Sequence, residues 1–258
     1  MIHSFVAIGD SFTEGVGDAY ADGGARGWAD LLAAGLEQHA AAQGEHVAYA
    51  NLAIRGRKLV PLLDEQLAPA IAQHPELISI NGGGNDLMRP RVEIAELSRR
   101  LREATLRITD SGIRALVLAG PDPTRNIPGG ALVRRRGRAL TDEVAAWAAD
   151  MPNATYVSAF DDAVLADPRY WSHDGLHMGP LGHLRVATNC LLALGAPVPA
   201  EWAGLAASAA EDGPRDFGSL AYWREHVLPW IGRRVQGRSS GDDRVAKRPL
   251  LAPVALEA

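Results

Sequence analysis

Short apolar runs, each four or so residues long, alternate with longer amphipathic stretches. Phe5-Val6-Ala7-Ile8, Val47-Ala48-Tyr49-Ala50, Leu77-Ile78-Ser79-Ile80, Ala115-Leu116-Val117-Leu118 and Thr155-Tyr156-Val157 are the apolar runs. Strands buried on both faces and joined by crossover helices produce this pattern, so the chain predicts an α/β domain with a parallel sheet. Helices are expected over Trp28 to about His39, closed by Gly44; over Leu59 to Gln73, despite Pro61 and Pro69; over Glu93 to Thr109, with Gly112 past its end; and from about Ala131 to Ala149. The first four strands lead into Gly9, Asn51, Asn81-Gly82-Gly83-Gly84 and Gly120-Pro121. In a parallel sheet ligands bind outside the carboxyl ends of the strands, so these loops are expected to share one rim.

After Gly195 the character changes. A Pro- and Ala-rich connection leads to Tyr222-Trp223-Arg224-Glu225-His226-Val227-Leu228-Pro229-Trp230-Ile231, which predicts a short aromatic helix. From Arg233 to Ala258 the chain is rich in Arg, Ser, Gly and Pro and is expected to be extended or disordered. The expected division is a catalytic domain over 1–195, an aromatic helical appendage over 196–236 and a flexible tail over 237–258.

Composition narrows the function classes. A chain of 258 residues can bury most of its apolar surface around one core. Its formal net charge of -5 gives no electrostatic basis for a polyanionic partner, and nucleic acid is not expected. Lys58 and Lys247 are the only lysines among many arginines. The single cysteine, Cys190, rules out an internal disulfide and a cysteine-based metal site, and its apolar helical surroundings predict a buried, inert thiol. Met1-Ile2-His3-Ser4 lacks the marks of a signal peptide and no apolar run reaches membrane-spanning length, so a cytoplasmic location without a membrane span is expected.

The candidate chemistry lies at both ends of the folded region: Gly9-Asp10-Ser11 follows the first apolar run, and Asp174 and His177 stand three residues apart late in the chain. A hydroxyl is a poor nucleophile at neutral pH unless a base takes its proton, and a third group must hold that base in one tautomer. Ser11, His177 and Asp174 can fill those roles. Gly-x-Ser-x-Gly follows none of the five apolar runs, which argues against the nucleophile elbow of the α/β-hydrolases.

A different arrangement fits. Gly9-Asp10-Ser11-Phe12-Thr13-Glu14-Gly15, Asn51-Leu52-Ala53-Ile54-Arg55-Gly56, Gly83-Gly84-Asn85-Asp86 and Asp174-Gly175-Leu176-His177 resemble, in order, the four signature blocks of the SGNH hydrolases, or GDSL esterases and lipases. The resemblance covers roughly residues 1 to 195. It implies a three-layer α/β/α sandwich, flavodoxin-like, with Ser11 as nucleophile, His177 as general base and Asp174 orienting it. It also implies an oxyanion hole built from the Ser11 N–H, the Gly56 N–H and the Asn85 side-chain amide. Glycine lets backbone approach the substrate, and asparagine supplies a neutral donor. No metal or cofactor is implied. Phe12 stands where leucine is usual and Ala53 where glycine is commoner; neither change removes a catalytic group.

Blander readings exist for several residues. Asp-x-x-His alone is more often an N-capping aspartate beside a surface histidine. Gly84 reads as a turn glycine, and Asp10 and Asp86 as loop braces. His173 and His183 could join His177 in a metal cluster, but zinc catalysis needs three well-placed ligands. Arg134-Arg135-Arg136 reads as a solvated helix face and the stripe Trp223, Trp230 as packing onto the body. The expected function is a serine esterase acting on a small-molecule ester, acetyl or otherwise short-chain, through an acyl-enzyme on Ser11. An acyltransferase using the same acyl-enzyme and a non-catalytic binding or scaffold protein on the same fold are the alternatives.

Overall fold

Strand β1 (Ser4–Ile8) divides its side chains between two cores, and that division sets the architecture. Phe5 and Ala7 enter one apolar cluster, while Val6 and Ile8 enter the other. Strand β4 (Arg114–Ala119) repeats the alternation, with Leu116 and Leu118 on the first side and Ala115 and Val117 on the second. Successive strand residues point to opposite faces, so a sheet apolar on both must be covered on both. The computed structural model describes residues 1–89, 91–125, 130–209, 217 and 241–255. The expected aromatic helix, Tyr222 to Ile231, lies outside the described residues.

Among the described residues the sheet has six strands in the order β5-β4-β3-β1-β2-β6, with β6 spanning Arg248–Pro253. Strands β1, β2 (Ala48–Asn51), β3 (Leu77–Ile80), β4 and β5 (Ala154–Ser158) run parallel. Helices α2 (Trp28–Ala41) and α7 (Pro180–Leu194) cover the Phe5 face, and α8 (Trp202–Ala209) packs beside α7. Helices α5 (Ile94–Asp110) and α6 (Ala131–Ala148) pack together over the other. In α5 the buried Leu97, Leu101, Ala104, Thr105 and Ile108 follow a helical spacing along one stripe, as the sequence pattern predicted. This is the three-layer α/β/α fold. Trp202 belongs to the first core, so the chain just beyond Gly195 packs on the main body. Cys190 is fully buried in α7, and burial pushes its thiol up.

The structure departs from the sequence expectation in two elements. The helix expected over Leu59 to Gln73 is α3 (Leu59–Leu62), a wider π-helical turn (Leu63–Leu67) and α4 (Ala68–Ile71). Pro69 has no N–H to give the carbonyl four residues back, and the helix widens immediately before it. The second departure corrects the expected flexible tail. Arg248–Pro253 form β6, antiparallel to β2 at the sheet edge. Pro249 and Pro253 mask the strand in the sequence, but an edge strand is where proline is tolerated, because half of its N–H groups need no ladder partner. Leu251 sends its N–H instead to the Gln73 side chain at 2.7 Å.

Candidate active site

The loops leaving β1, β2 and β3 meet at the carboxyl end of the sheet. Gly9 follows β1 and is held on both sides: its N–H donates to Gln66 Oε1 at 2.8 Å, and its carbonyl accepts from Gln66 Nε2 at 3.0 Å and from the Ile54 N–H at 3.3 Å. Gln66 lies in the π-helical turn, buried, and serves Gly9 as a neighbouring strand would. Asp10 then caps the single helical turn α1 (Ser11–Glu14), its Oδ1 accepting the Phe12 N–H at 3.1 Å. Ser11 opens that turn and is partly exposed at the rim. Phe12 points down between Trp28 and His183, at ring-centroid distances of 5.7 and 6.2 Å.

The second loop is fastened to the first through Glu14 and Asn51. The buried Glu14 carboxylate accepts the Arg55 N–H at 2.6 Å and the Arg55 guanidinium through Nε at 2.8 Å and through Nη2. Asn51 donates to the Thr13 carbonyl at 2.9 Å and accepts the Ala53 N–H at 3.0 Å. These bonds set Gly56 at the rim with φ of +74°, a left-handed conformation that strains any residue with a Cβ.

The third loop brings Asn85 to Asp10. Asn85 Nδ2 donates to Asp10 Oδ2 and to the Arg57 carbonyl, both at 3.1 Å. Both partners are acceptors, which fixes the amide orientation. Asp86 accepts the Leu59 N–H at 2.8 Å and so caps α3, and Asp10 and Asp86 are therefore loop braces as expected. Burial pushes the Asp10 carboxyl up to about 6; the Phe12 N–H and the charge of His177 draw it down, and Asp86 adds to the rise.

Asp174 and His177 come from the segment between β5 and α7. Asp174 Oδ2 accepts from His177 Nδ1 at 2.6 Å, while its Oδ1 accepts the His177 N–H at 2.9 Å, the Leu176 N–H at 3.0 Å and the Ser172 hydroxyl at 2.6 Å. Burial works against the charge on Asp174, but His177, Ser172 and the backbone donors outweigh it and hold the carboxyl well below the usual range. A carboxylate can only accept, so the imidazole proton sits on Nδ1 and Nε2 carries the free lone pair. The segment lies against the chain leaving α1: a Cβ added to Gly17 would fall 2.0 Å from the Met178 carbonyl oxygen and 3.1 Å from His177 Cβ. His183 locks this packing from below. Its Nδ1 accepts the Trp28 N–H at 3.1 Å and its Nε2 lies 3.3 Å from the Val16 carbonyl, and burial pushes the ring down to about 4.

Among the described residues no group of three or more His, Cys, Asp or Glu side chains could hold a metal ion. The arginine run is not uniformly solvated. Arg135 is exposed, but Arg134 pairs with Asp122 at 3.2 Å and Arg136 donates to the carbonyls of Leu87 and Arg89 at 2.8 and 2.9 Å, bracing the third loop. Gln66, Glu14 and Asn51 are supports that the sequence reading left without a role. The only signal for Gln66 is a lone amide on an otherwise apolar stripe.

The rim of this doubly wound sheet thus carries Ser11, the Asn85 amide and the imidazole of His177 paired with Asp174. The model of the GDSL-like Lipase/Acylhydrolase family matches residues 7–185, and the chain belongs to that family of hydrolases. Among solved structures it resembles the lipase Lip_vut3 from a goat rumen metagenome, with 17% identity and a TM-score of 0.60 over 74% of this chain and 97% of that one. It also resembles TesA, with 24% identity and a TM-score of 0.58 over 74% and 98%. The acetylxylan esterase Axe2 from Geobacillus stearothermophilus is similar at 18% identity and a TM-score of 0.60, over 77% and 97%. These likenesses concern the fold. No curated protein matches the sequence. Among the described residues no helix is long and apolar enough to cross a membrane.

Proposed function

We propose that this hydrolase cleaves carboxylic esters of small molecules through an acyl-enzyme on Ser11. The observation that carries the reading is the His177 Nδ1 to Asp174 Oδ2 hydrogen bond of 2.6 Å, which leaves Nε2 as a base on the segment packed against the loop that follows Ser11. His177 Nε2 takes the Ser11 proton as Oγ attacks the ester carbonyl, and the resulting imidazolium is stabilised by Asp174. The oxyanion accepts the N–H groups of Ser11 and Gly56 and one N–H of the Asn85 amide. That last proton is shared with the neutral Arg57 carbonyl, and a developing anion is the stronger acceptor. His177 returns the proton to the leaving alcohol; it then takes a proton from water as the water oxygen attacks the acyl carbon, and passes it to Ser11 Oγ as the acyl bond to Ser11 breaks and the acid leaves.

An acetyl or other short acyl group is favoured by the likeness to Axe2, an acetylxylan esterase. Hydrolysis of p-nitrophenyl acetate, butyrate and octanoate by wild type and Ser11→Ala tests both parts. Expected is hydrolysis that requires Ser11 and declines with chain length. Undiminished hydrolysis by Ser11→Ala would overturn the nucleophile, and preference for octanoate would overturn the short acyl group.

A further inference from the structure

The chain enters β6 from the catalytic rim. Because β6 is antiparallel to β2, its first residue, Arg248, pairs with Asn51 at the carboxyl end of β2, and residues 241–247 lie beside the loops just described. This segment falls outside the family match, which ends at residue 185. Lys247 reaches across α1 and uses all three ammonium protons. Its Nζ lies 2.6 Å from the Glu14 carbonyl oxygen, 2.8 Å from the Ala25 carbonyl oxygen and 2.6 Å from Asp30 Oδ2. Three acceptors around a point suit a compact ammonium better than the planar fork of arginine. The Glu14 carbonyl is one of the helix-end carbonyls of α1 that no intrahelical donor can satisfy, and its neighbour, the Thr13 carbonyl, is satisfied by Asn51.

Gly241 holds the other side. Its Cα is so close to the second loop that an added Cβ would lie 1.9 Å from the Arg55 carbonyl oxygen, and its own carbonyl is 3.5 Å from Arg57 Nη1. Residue 241 therefore touches both neighbours of Gly56. Glu14 joins the two grips: Lys247 holds its backbone, and its carboxylate holds Arg55.

We infer that the segment 241–247 is a positioning element of the active site, with Lys247 and Gly241 as positioning residues that keep the Ser11 turn and the Gly56 loop in mutual register. The inference rests on the reading of Ser11 as nucleophile and Gly56 as oxyanion donor. Neither residue touches substrate. Lys247 acts through α1 and Gly241 through the backbone on either side of Gly56. Loss of the grip should misplace donors that must already point at the developing charge, so it falls on kcat and leaves KM nearly unchanged.

The test compares full-length wild type, Lys247→Met, Lys247→Arg and Gly241→Ala with Ile108→Ala, a fully buried core variant in the last turn of α5. Measurements are made well below the lowest melting temperature. Expected is a fall in kcat on the order of 10- to 100-fold for Lys247→Met and Gly241→Ala, partial rescue by Lys247→Arg, and wild-type kcat for Ile108→Ala despite its lower melting temperature. Hydrogen exchange, which needs no turnover, should be faster over residues 11–17 and 52–57 in Lys247→Met than in wild type. Wild-type kcat in Lys247→Met, or an equal loss in Ile108→Ala, would overturn the inference. If Ser11→Ala hydrolyses esters as wild type does, it is the nucleophile that fails, and unchanged exchange in Lys247→Met would then overturn the positioning role separately.

Discussion

Asn85 shows how much work a single amide does at this site. It braces Asp10 and the Arg57 carbonyl in the resting protein and is proposed to turn one proton toward the oxyanion during the reaction. Asn85→Ala should therefore lower kcat on the order of a hundredfold with a smaller change in KM, which steady-state kinetics on a soluble ester will show. An unchanged kcat would remove Asn85 from the oxyanion hole. The residues proposed to carry the chemistry, Ser11, Gly56, Asn85, Asp174 and His177, can be picked out in the sequence because each sits in a short contiguous block whose residue types the proposed reaction requires. Their supports cannot. Glu14 meets Arg55 across 41 positions, Gln66 meets Gly9 across 57, and Lys247 meets Glu14 across 233, so no local pattern announces them.

Strands β1 to β5 were legible for the same reason that they form. Each is an apolar run between the two helical layers, β1 to β4 largely buried and the edge strand β5 burying Val157 alone, and the boundaries fall within about a residue of the expected ones. Strand β6 was hidden because it is an edge strand with prolines at two positions and only partial burial. Its contribution is testable. Ending the chain after residue 240 would expose the β2 edge, strip Leu251 from the second core and remove Lys247 from Glu14 and Asp30. The melting temperature should then fall by roughly 5 to 10 °C, by differential scanning calorimetry, as losing a few kcal/mol does in a domain of this size. A truncated protein that melts with the full chain would show that β6 is an ornament. The π-helical turn could not be foreseen from Pro69 alone, since proline signals a break without saying which way the helix will relax.

Over the whole molecule, two buried groups pull the pH dependence of stability in opposite directions. His183 is depressed from 6.5 to about 4, so its neutral form stabilises the fold fully above 6.5, and that contribution is lost as pH falls through 4. Asp10 is raised from 3.8 to about 6, so its contribution is full below 3.8 and lost as pH rises through 6. Substitutions that remove the titration should expose each slope, His183→Gln with its hydrogen bonds kept and Asp10→Asn with one acceptor lost. His183→Gln can still accept from Trp28 and donate to Val16; relative to wild type it should gain on the order of 3 kcal/mol as pH falls from 7 to 4. Asp10→Asn should gain relative to wild type as pH rises over the same range. Urea denaturation at several pH values reads both, and parallel curves for variant and wild type would contradict the assignment.

The proposed reaction depends above all on Ser11 being made nucleophilic by His177. The most direct measurement is labelling by a fluorophosphonate, with the adduct located by peptide mass spectrometry in wild type, Ser11→Ala and His177→Ala. Expected is a single adduct on Ser11, none in Ser11→Ala, and labelling slowed by on the order of a hundredfold or more in His177→Ala. An adduct on another residue, or His177→Ala labelling at the wild-type rate, would contradict it.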